Sequence, residues 1–362
     1  MQQRILSAID EAGGWIDFSA YMQQVLYEPG LGYYSAGASK LGPGGDFTTG
    51  PELSDWLAEA LAAFLVEQFS RIGAARILEL GAGTGSLAER LLVGLADRGV
   101  GPVEYSIMET SADLRERQIA RLGGSEQIVW LDELPAAPFD GVILANEVAD
   151  ALPVVRFVRN ADGVLPLGVI RDGEQLAMAT GPADAALSET VAAIEAARGE
   201  PLPEGYRSEY CPLLRPWLTS LCESVSQGGV LLIDYGLNSR DYYSATRADG
   251  TLICHYRQRA HTEPLLWPGL QDLTAWVNFT EVASIARATG TVLSGYTTQT
   301  QFLLASIAAD SKLANRVPTA SEASALKTLI LPGEMGEHFK LIWLTRNLPD
   351  STLPGRDFRN WL

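Results

Sequence analysis

A chain of 362 residues is long enough for one large domain or two smaller ones, and with 47% hydrophobic and 20% charged residues it can bury a full core. The formal net charge of -17 argues against a surface that tracks nucleic-acid phosphates, since that affinity rests on Lys and Arg displacing counterions; a basic partner would be attracted instead. Cys211, Cys222 and Cys254 are the three cysteines, with neither a metal-binding spacing nor an even count, so no disulfide framework and no zinc site is expected.

The opening stretch MQQRILSAIDEAGG carries Asp10 and Glu11 and no apolar signal core. No run is long enough to span a bilayer, and together these predict a cytoplasmic protein without membrane insertion. Residues 1–27 predict two short helices, one with Ile5, Leu6 and Ile9 and one with Phe18, Met22, Val25 and Leu26, on either side of Gly13-Gly14. From Tyr27 to Glu52 the chain is glycine-rich, interleaved with Tyr33 and Tyr34, and fits neither period, so it reads as a long functional loop. The next helix is expected to start at a Thr49-x-x-Glu52 capping box and to bury Leu53, Trp56, Leu57, Ala60, Leu61, Phe64 and Leu65.

Residues 76–118 are the most informative. Ile77 to Leu80 is a short apolar strand that breaks into Gly81-Ala82-Gly83-Thr84-Gly85, after which Leu87, Leu91, Leu92 and Leu95 take up helical spacing. Glycines there permit backbone angles closed to other residues and let a ligand approach the main chain. A second strand, Val103 to Met108, ends in Glu109, at the spacing where a carboxylate holds a ribose hydroxyl. The pattern departs from the dinucleotide fingerprint, and Glu79, two residues before the first glycine, would repel a pyrophosphate. It suits a cationic cofactor such as S-adenosylmethionine, with Glu79, Gly81, Ala82, Gly83, Thr84, Gly85 and Glu109 as its contacts. In the preceding loop Asp46, Phe47 and Thr48 could close over it, with Thr49 either joining them or only capping the helix.

Gln127 to Leu131 is a third strand, with Asp132 at its end as a contact for the adenine amino group. Phe139 to Ala145 is a fourth and runs into NEVADALP, which supplies Asn146, Glu147 and Asp150. Asp162-Gly163 and Asp172-Gly173 between short apolar runs predict an antiparallel insertion over 154–180, followed by a helix near 188–198. The core resumes with a helix near 217–225 stopped by Gly228-Gly229, then the strand Val230 to Asp234 followed by Tyr235. Residues 238–280 are polar, irregular and aromatic, and hold His255 and His261. A helix near 280–288, a strand near 291–299, a helix from Phe302 and a last strand near 339–345 complete an open α/β sheet of seven strands. The expected division is an N-terminal segment 1–75, a core in two parts, 76–153 and 216–362, an insertion 154–215 that meets the substrate, and a lid over 238–280.

In order along the chain, LYEPGLGYYS, GGDFTTGPELS, ELGAGTGSL, NEVADALP, LLIDYG, HYRQRAHTEPLLWPGLQDLTAWVNF, TTQTQFLL and MGEHFK resemble the MidA-like methyltransferases. The resemblance implies a Rossmann-like methyltransferase core with its last strand antiparallel, S-adenosylmethionine as cofactor and a protein arginine as substrate. Mitochondrial members, which carry a transit peptide not seen here, dimethylate an arginine of a respiratory complex I subunit and act as assembly factors. Where the family reads NEFFDALP and DLTAHVDF, this chain has Val148 and Ala149, and Trp276 and Asn278. Glu147 and Asp150, with Asn146, are the expected catalytic set, because a carboxylate can bind a guanidinium bidentately and offset its repulsion from a sulfonium. His261, less so His255, is the candidate base, and Asp234 and Tyr235 lie beside the expected substrate. A small-molecule methyltransferase and a cofactor-binding assembly factor are the alternatives, a dehydrogenase is the weakest, and homodimerisation is left open.

Overall fold

A computed structural model describes residues 1–36, 50–125 and 127–362. The chain resolves into two units that alternate along the sequence: an accessory unit from the N-terminal residues, Asp150–Leu214 and Leu237–Asn278, and a core unit from the remaining segments.

The core unit is built on a sheet whose central strands carry near-continuous apolar runs, Ile77 to Leu80, Val142 to Ala145, Val230 to Ile233 and Leu341 to Leu344, as expected of strands covered on both faces. The strands of the sheet are β1 (Arg76–Leu80), β2 (Glu104–Met108), β3 (Ile128–Leu131), β4 (Phe139–Asn146), β5 (Val225–Leu237), β6 (Val292–Thr298) and β7 (Phe339–Arg346). Their order is β6-β7-β5-β4-β1-β2-β3. The first five are mutually parallel where they pair, and β7 runs antiparallel between β5 and β6, as the resemblance implied. Helix Trp56–Ile72 starts later than the Thr49-x-x-Glu52 pattern predicted, after a separate short helix Gly50–Leu53; it buries Trp56, Leu57, Ala60, Leu61, Phe64 and Leu65 as their spacing implied, while Leu53 lies outside it and is half-buried. Phe64 meets Trp343 of β7 edge-on at 5.5 Å and Phe302 at 6.2 Å, tying that helix to the sheet and to helix Gln299–Ala309.

One reading of the core needs correction. Gly228 and Gly229 do not stop a helix; helix Leu214–Glu223 ends before them and they lie inside β5. Their lack of a side chain serves close approach: a Cβ on Gly228 would sit 1.9 Å from the Gly141 carbonyl oxygen, and one on Gly229 2.6 Å from the Trp343 ring.

The accessory unit has helices Gln2–Glu11, Phe18–Tyr27 and Ala185–Arg198 and two antiparallel sheets. Strands Val155–Asn160, Gly163–Asp172 and Gln175–Thr180 form the expected hairpins, although the first turn falls on Ala161-Asp162, one residue earlier than anticipated, and the second on Gly173-Glu174, one residue later. A short strand the spacing did not predict, Trp15–Asp17, joins that sheet against Gly163–Asp172. Asp17 then caps the next helix, accepting from the N–H groups of Ser19 (2.8 Å) and Ala20 (3.0 Å). The core of this unit gathers Phe157, Leu187, Val191, Tyr206, Tyr242 and Tyr243. Residues 238–280, expected to be irregular, contain a second sheet of Ile253–Tyr256, Arg259–His261 and Asp272–Thr274. Among the described residues no helix is long and apolar enough to cross a membrane.

Candidate cofactor and active site

The parallel strands of the core end level with one another. Leu80 of β1 is abreast of Met108 of β2 and Ala145 of β4, so Gly81, Glu109 and Asn146 emerge side by side. Leu131 and Ile233 bring Asp132 and Asp234 to the same edge. Strand order reverses between β1 and β4, and open α/β sheets bind ligands at such a switch point.

The glycine turn has the geometry its composition predicted. Gly81, Gly83 and Gly85 adopt φ of +60°, +55° and +80°, a region that L side chains rarely enter. A Cβ on Gly85 would also lie 2.9 Å from Leu122 Cδ1. The Gly81 N–H donates to the Met108 carbonyl at 3.0 Å, and the Thr84 hydroxyl donates to Glu52 and accepts from Arg121 (2.7 Å). Glu52 thus serves the turn, while Asp46, Phe47, Thr48 and Thr49 lie outside the described residues.

Two buried carboxylates flank this turn. Burial pushes Glu79 up to about 7, with the proximity of Glu109 adding to the shift and a 2.7 Å hydrogen bond from the Tyr105 hydroxyl opposing it. Burial also raises Glu109, held back by the N–H of Ser111 (2.9 Å) and the amide of Gln118 (2.9 Å). A site that holds carboxylates where their charge is disfavoured gains from a cation. Gln118 went unnoticed in the sequence, yet it is buried and its amide nitrogen also donates to the Gly83 carbonyl (2.9 Å), while its oxygen accepts from Trp130 Nε1 (3.1 Å). One side chain joins the turn, Glu109 and β3.

At the end of β4 the chain enters a strained conformation: Glu147 has φ +55°, which a non-glycine residue adopts at a cost of order ~1 kcal/mol. Its N–H donates to the Ile233 carbonyl (2.9 Å), and Asn146 Nδ2 donates to its carboxylate (3.1 Å). Asn146 Oδ1 is buried without a partner among the described residues. Asp234 is buried and accepts from the N–H groups of Ala149 (3.0 Å) and Tyr235 (2.9 Å), which ties β5 to the segment after β4. Val148 lies where a Cβ on Gly81 would meet it at 3.1 Å. Asp132 is exposed and ion-paired with Arg115.

Other expected residues belong to the accessory unit. Asp150 is buried there, its carbonyl accepting from the Ala275 N–H at 2.9 Å. Tyr34 donates to Asp272 (2.8 Å); burial raises its hydroxyl far above the usual phenol range, with Asp272, Tyr27 and Asp150 adding to the effect. His261 accepts at Nδ1 from the Glu263 N–H (3.2 Å) and stands edge-on to Trp267, while burial, and secondarily His261, lowers His255. Trp276 lies under the guanidinium of Arg247 at 4.9 Å, and Asn278 accepts from the Ser239 hydroxyl (2.9 Å).

Residues 60–297 match the family of putative S-adenosyl-L-methionine-dependent methyltransferases. A crystal structure from Burkholderia thailandensis, described as a likely methyl transferase bound to S-adenosyl-homocysteine, is 39% identical, covers 100% of this chain and 96% of its own, and has a TM-score of 0.90. The mitochondrial protein arginine methyltransferase NDUFAF7 of Danio rerio is 27% identical over 91% of this chain and 83% of its own length. Its Mus musculus counterpart is 28% identical over 94% and 83%. A family match over most of the chain, joined to a full-length likeness at that identity, agrees with the motifs and with the switch-point turn: this chain belongs to the MidA-like family of S-adenosyl-L-methionine-dependent methyltransferases.

Proposed function

We propose that this methyltransferase modifies an arginine side chain of a protein partner. The observation that carries the reading is the end of β4, where the Asn146 amide oxygen has no partner among the described residues, beside a Glu147 held in a strained conformation. Strain of this kind is kept where geometry matters to function. Both groups accept hydrogen bonds, and a guanidinium offers only donors. The arginine methyltransferases NDUFAF7, alike along most of the chain, support the same substrate class.

Gly81, Gly83 and Gly85 would admit the cofactor to the main chain, Glu109 would take its ribose, and Glu79 would favour its positive charge. When bound, S-adenosylmethionine supplies a methyl carbon made electrophilic by an adjacent sulfonium. The protein must then hold the nucleophile in line and offset charge. Two unit charges about 4 Å apart repel by ~4 kcal/mol at an effective dielectric of 20, close to three powers of ten in rate. Glu147 supplies the opposing charge, fixes the guanidinium plane through paired hydrogen bonds, and receives the proton shed as the new N–C bond forms. Asp150, three residues on in the sequence, is the second carboxylate proposed for this role.

Glu147→Gln and Asp150→Asn keep shape and remove charge. Each should bind S-adenosylmethionine nearly as the wild type does by titration calorimetry, fold normally by circular dichroism, and lose at least ~100-fold in methyl transfer to an arginine-bearing partner. A double amide variant that still methylates arginine at the wild-type rate overturns these roles. The partner itself is found by mass spectrometry of methylated proteins before and after deletion of the gene; an absence of arginine products favours a small molecule.

A further inference from the structure

Within the accessory unit, a cavity of about 920 Å³ is lined by the first four residues of the strand Gln175–Thr180, by the segment from Glu263 to Leu270, and by Met1, Gln2, Gly30, Leu31 and Ala36. Four consecutive strand residues, Gln175, Leu176, Ala177 and Met178, touch it. Successive residues of a strand point to opposite faces, so a cavity that meets four in a row runs along the edge of the strand. That edge is open: the strand pairs with Gly163–Asp172, and among the described residues it has no other strand partner. Gly173, at φ +61°, begins a two-residue turn flanked by Asp172 and Gln175. The flanking residues form the hydrogen-bonded pair, so by alternation the N–H and C=O of Leu176 and Met178 point outward along the edge.

The facing wall is apolar and aromatic. Leu266, Trp267 and Leu270 are 44%, 45% and 55% exposed, unusual for large apolar side chains grouped in one segment. Trp267 is held at φ +45° and stacked on Tyr256, ring centroids 4.4 Å apart. Glu263 lines the cavity, as do Met1 and Gln2, and among the described residues no Lys or Arg does. An exposed indole and a carboxylate lining one cavity, in a chain of net charge -17, are complementary to a cation.

We propose that this groove docks an extended basic segment of the protein substrate. The segment adds as a strand along Leu176 and Met178, with one of its Arg or Lys side chains over Trp267 and beside Glu263. The inference rests on the protein-substrate reading above, and it is testable without cofactor or turnover. The probe is a fluorescein-labelled octapeptide of alternating Val and Arg. Fluorescence anisotropy should show saturable binding, and hydrogen exchange should slow at the Leu176 and Met178 amides. Affinity should fall at least tenfold for the matching Val–Glu peptide, for a Val–Arg peptide methylated on every backbone nitrogen, and for the Trp267→Ala protein. Glu263→Lys, an exposed-loop change, should weaken Val–Arg and strengthen Val–Glu. Absence of binding, or binding that survives backbone methylation or Trp267→Ala, overturns the proposal. So does a dimer in sedimentation equilibrium that Trp267→Ala dissolves, because a second copy would then fill the groove. Arginine methylation without this binding would remove the groove and leave the substrate class standing; binding without an arginine product would do the reverse.

Discussion

Burial of Glu79 ties stability to pH. Its carboxyl is pushed up to about 7 in the folded protein, chiefly by burial, against an ordinary value of 4.5. Between those values the folded chain retains a proton the unfolded chain has released, so stability falls as pH rises from about 4.5 to 7 and then levels off. At about 1.4 kcal/mol per pH unit, the loss is of order ~3 kcal/mol. Glu79→Gln cannot ionise, so its melting temperature should match the wild type near pH 4.5 and exceed it near pH 8, while its affinity for the cationic cofactor drops. Equal melting temperatures across that range would refute the assignment. Gln118 tells a complementary story. Gln118→Ala removes the donor shared by Gly83 and Glu109 and should weaken cofactor binding about tenfold by calorimetry, since each lost buried hydrogen bond costs of order ~1 kcal/mol. The glycine turn was legible because only glycine tolerates those angles, and for that reason Gly83→Val should abolish cofactor binding while the fold persists. Gln118 was not legible: it sits in the polar helix Ala112–Leu122, where glutamine ordinarily faces water, and only the fold shows it buried.

At the scale of elements, the same residue type carries different messages in different places. Gly173 announces a hairpin turn and was read as one, because a two-residue turn is a local property of the chain. Gly228-Gly229 resembled a helix stop, but what those glycines accommodate is Gly141 of β4 and Trp343 of β7, nearly a hundred residues or more away in sequence. No local pattern encodes that contact. Gly228, at φ +137° and level with Gly141, should therefore tolerate no side chain: Gly228→Ala is expected to lose at least ~3 kcal/mol, seen as a lower urea midpoint or loss of soluble protein. The small sheet over 253–274 escaped notice for a related reason. Its strands are three or four residues long, too short for a period, and the third, Asp272–Thr274, returns only after the irregular segment that carries Trp267.

For the molecule as a whole, each unit is assembled from three stretches of sequence, so neither can be cut out as one continuous piece. The family match covers residues 60–297, yet β7 at Phe339–Arg346 is the strand between β5 and β6 and is buried along nearly its entire length. A fragment of residues 60–297 should accordingly show no cooperative thermal transition, whereas the full chain does. The same arrangement governs what happens during translation. Trp15 pairs with Ile170, about 155 residues downstream, so at roughly 5–20 residues per second the first strand waits ~8–30 s for its partner to be made. Through that interval Ile5, Ile9, Phe18 and Met22, buried in the finished protein, lack much of the sheet that will cover them, and the nascent chain offers chaperones an apolar N-terminus. Ribosome-bound chains arrested short of Gly163 should be cut by protease within residues 1–36, and chains long enough to expose Asp172 should be protected there.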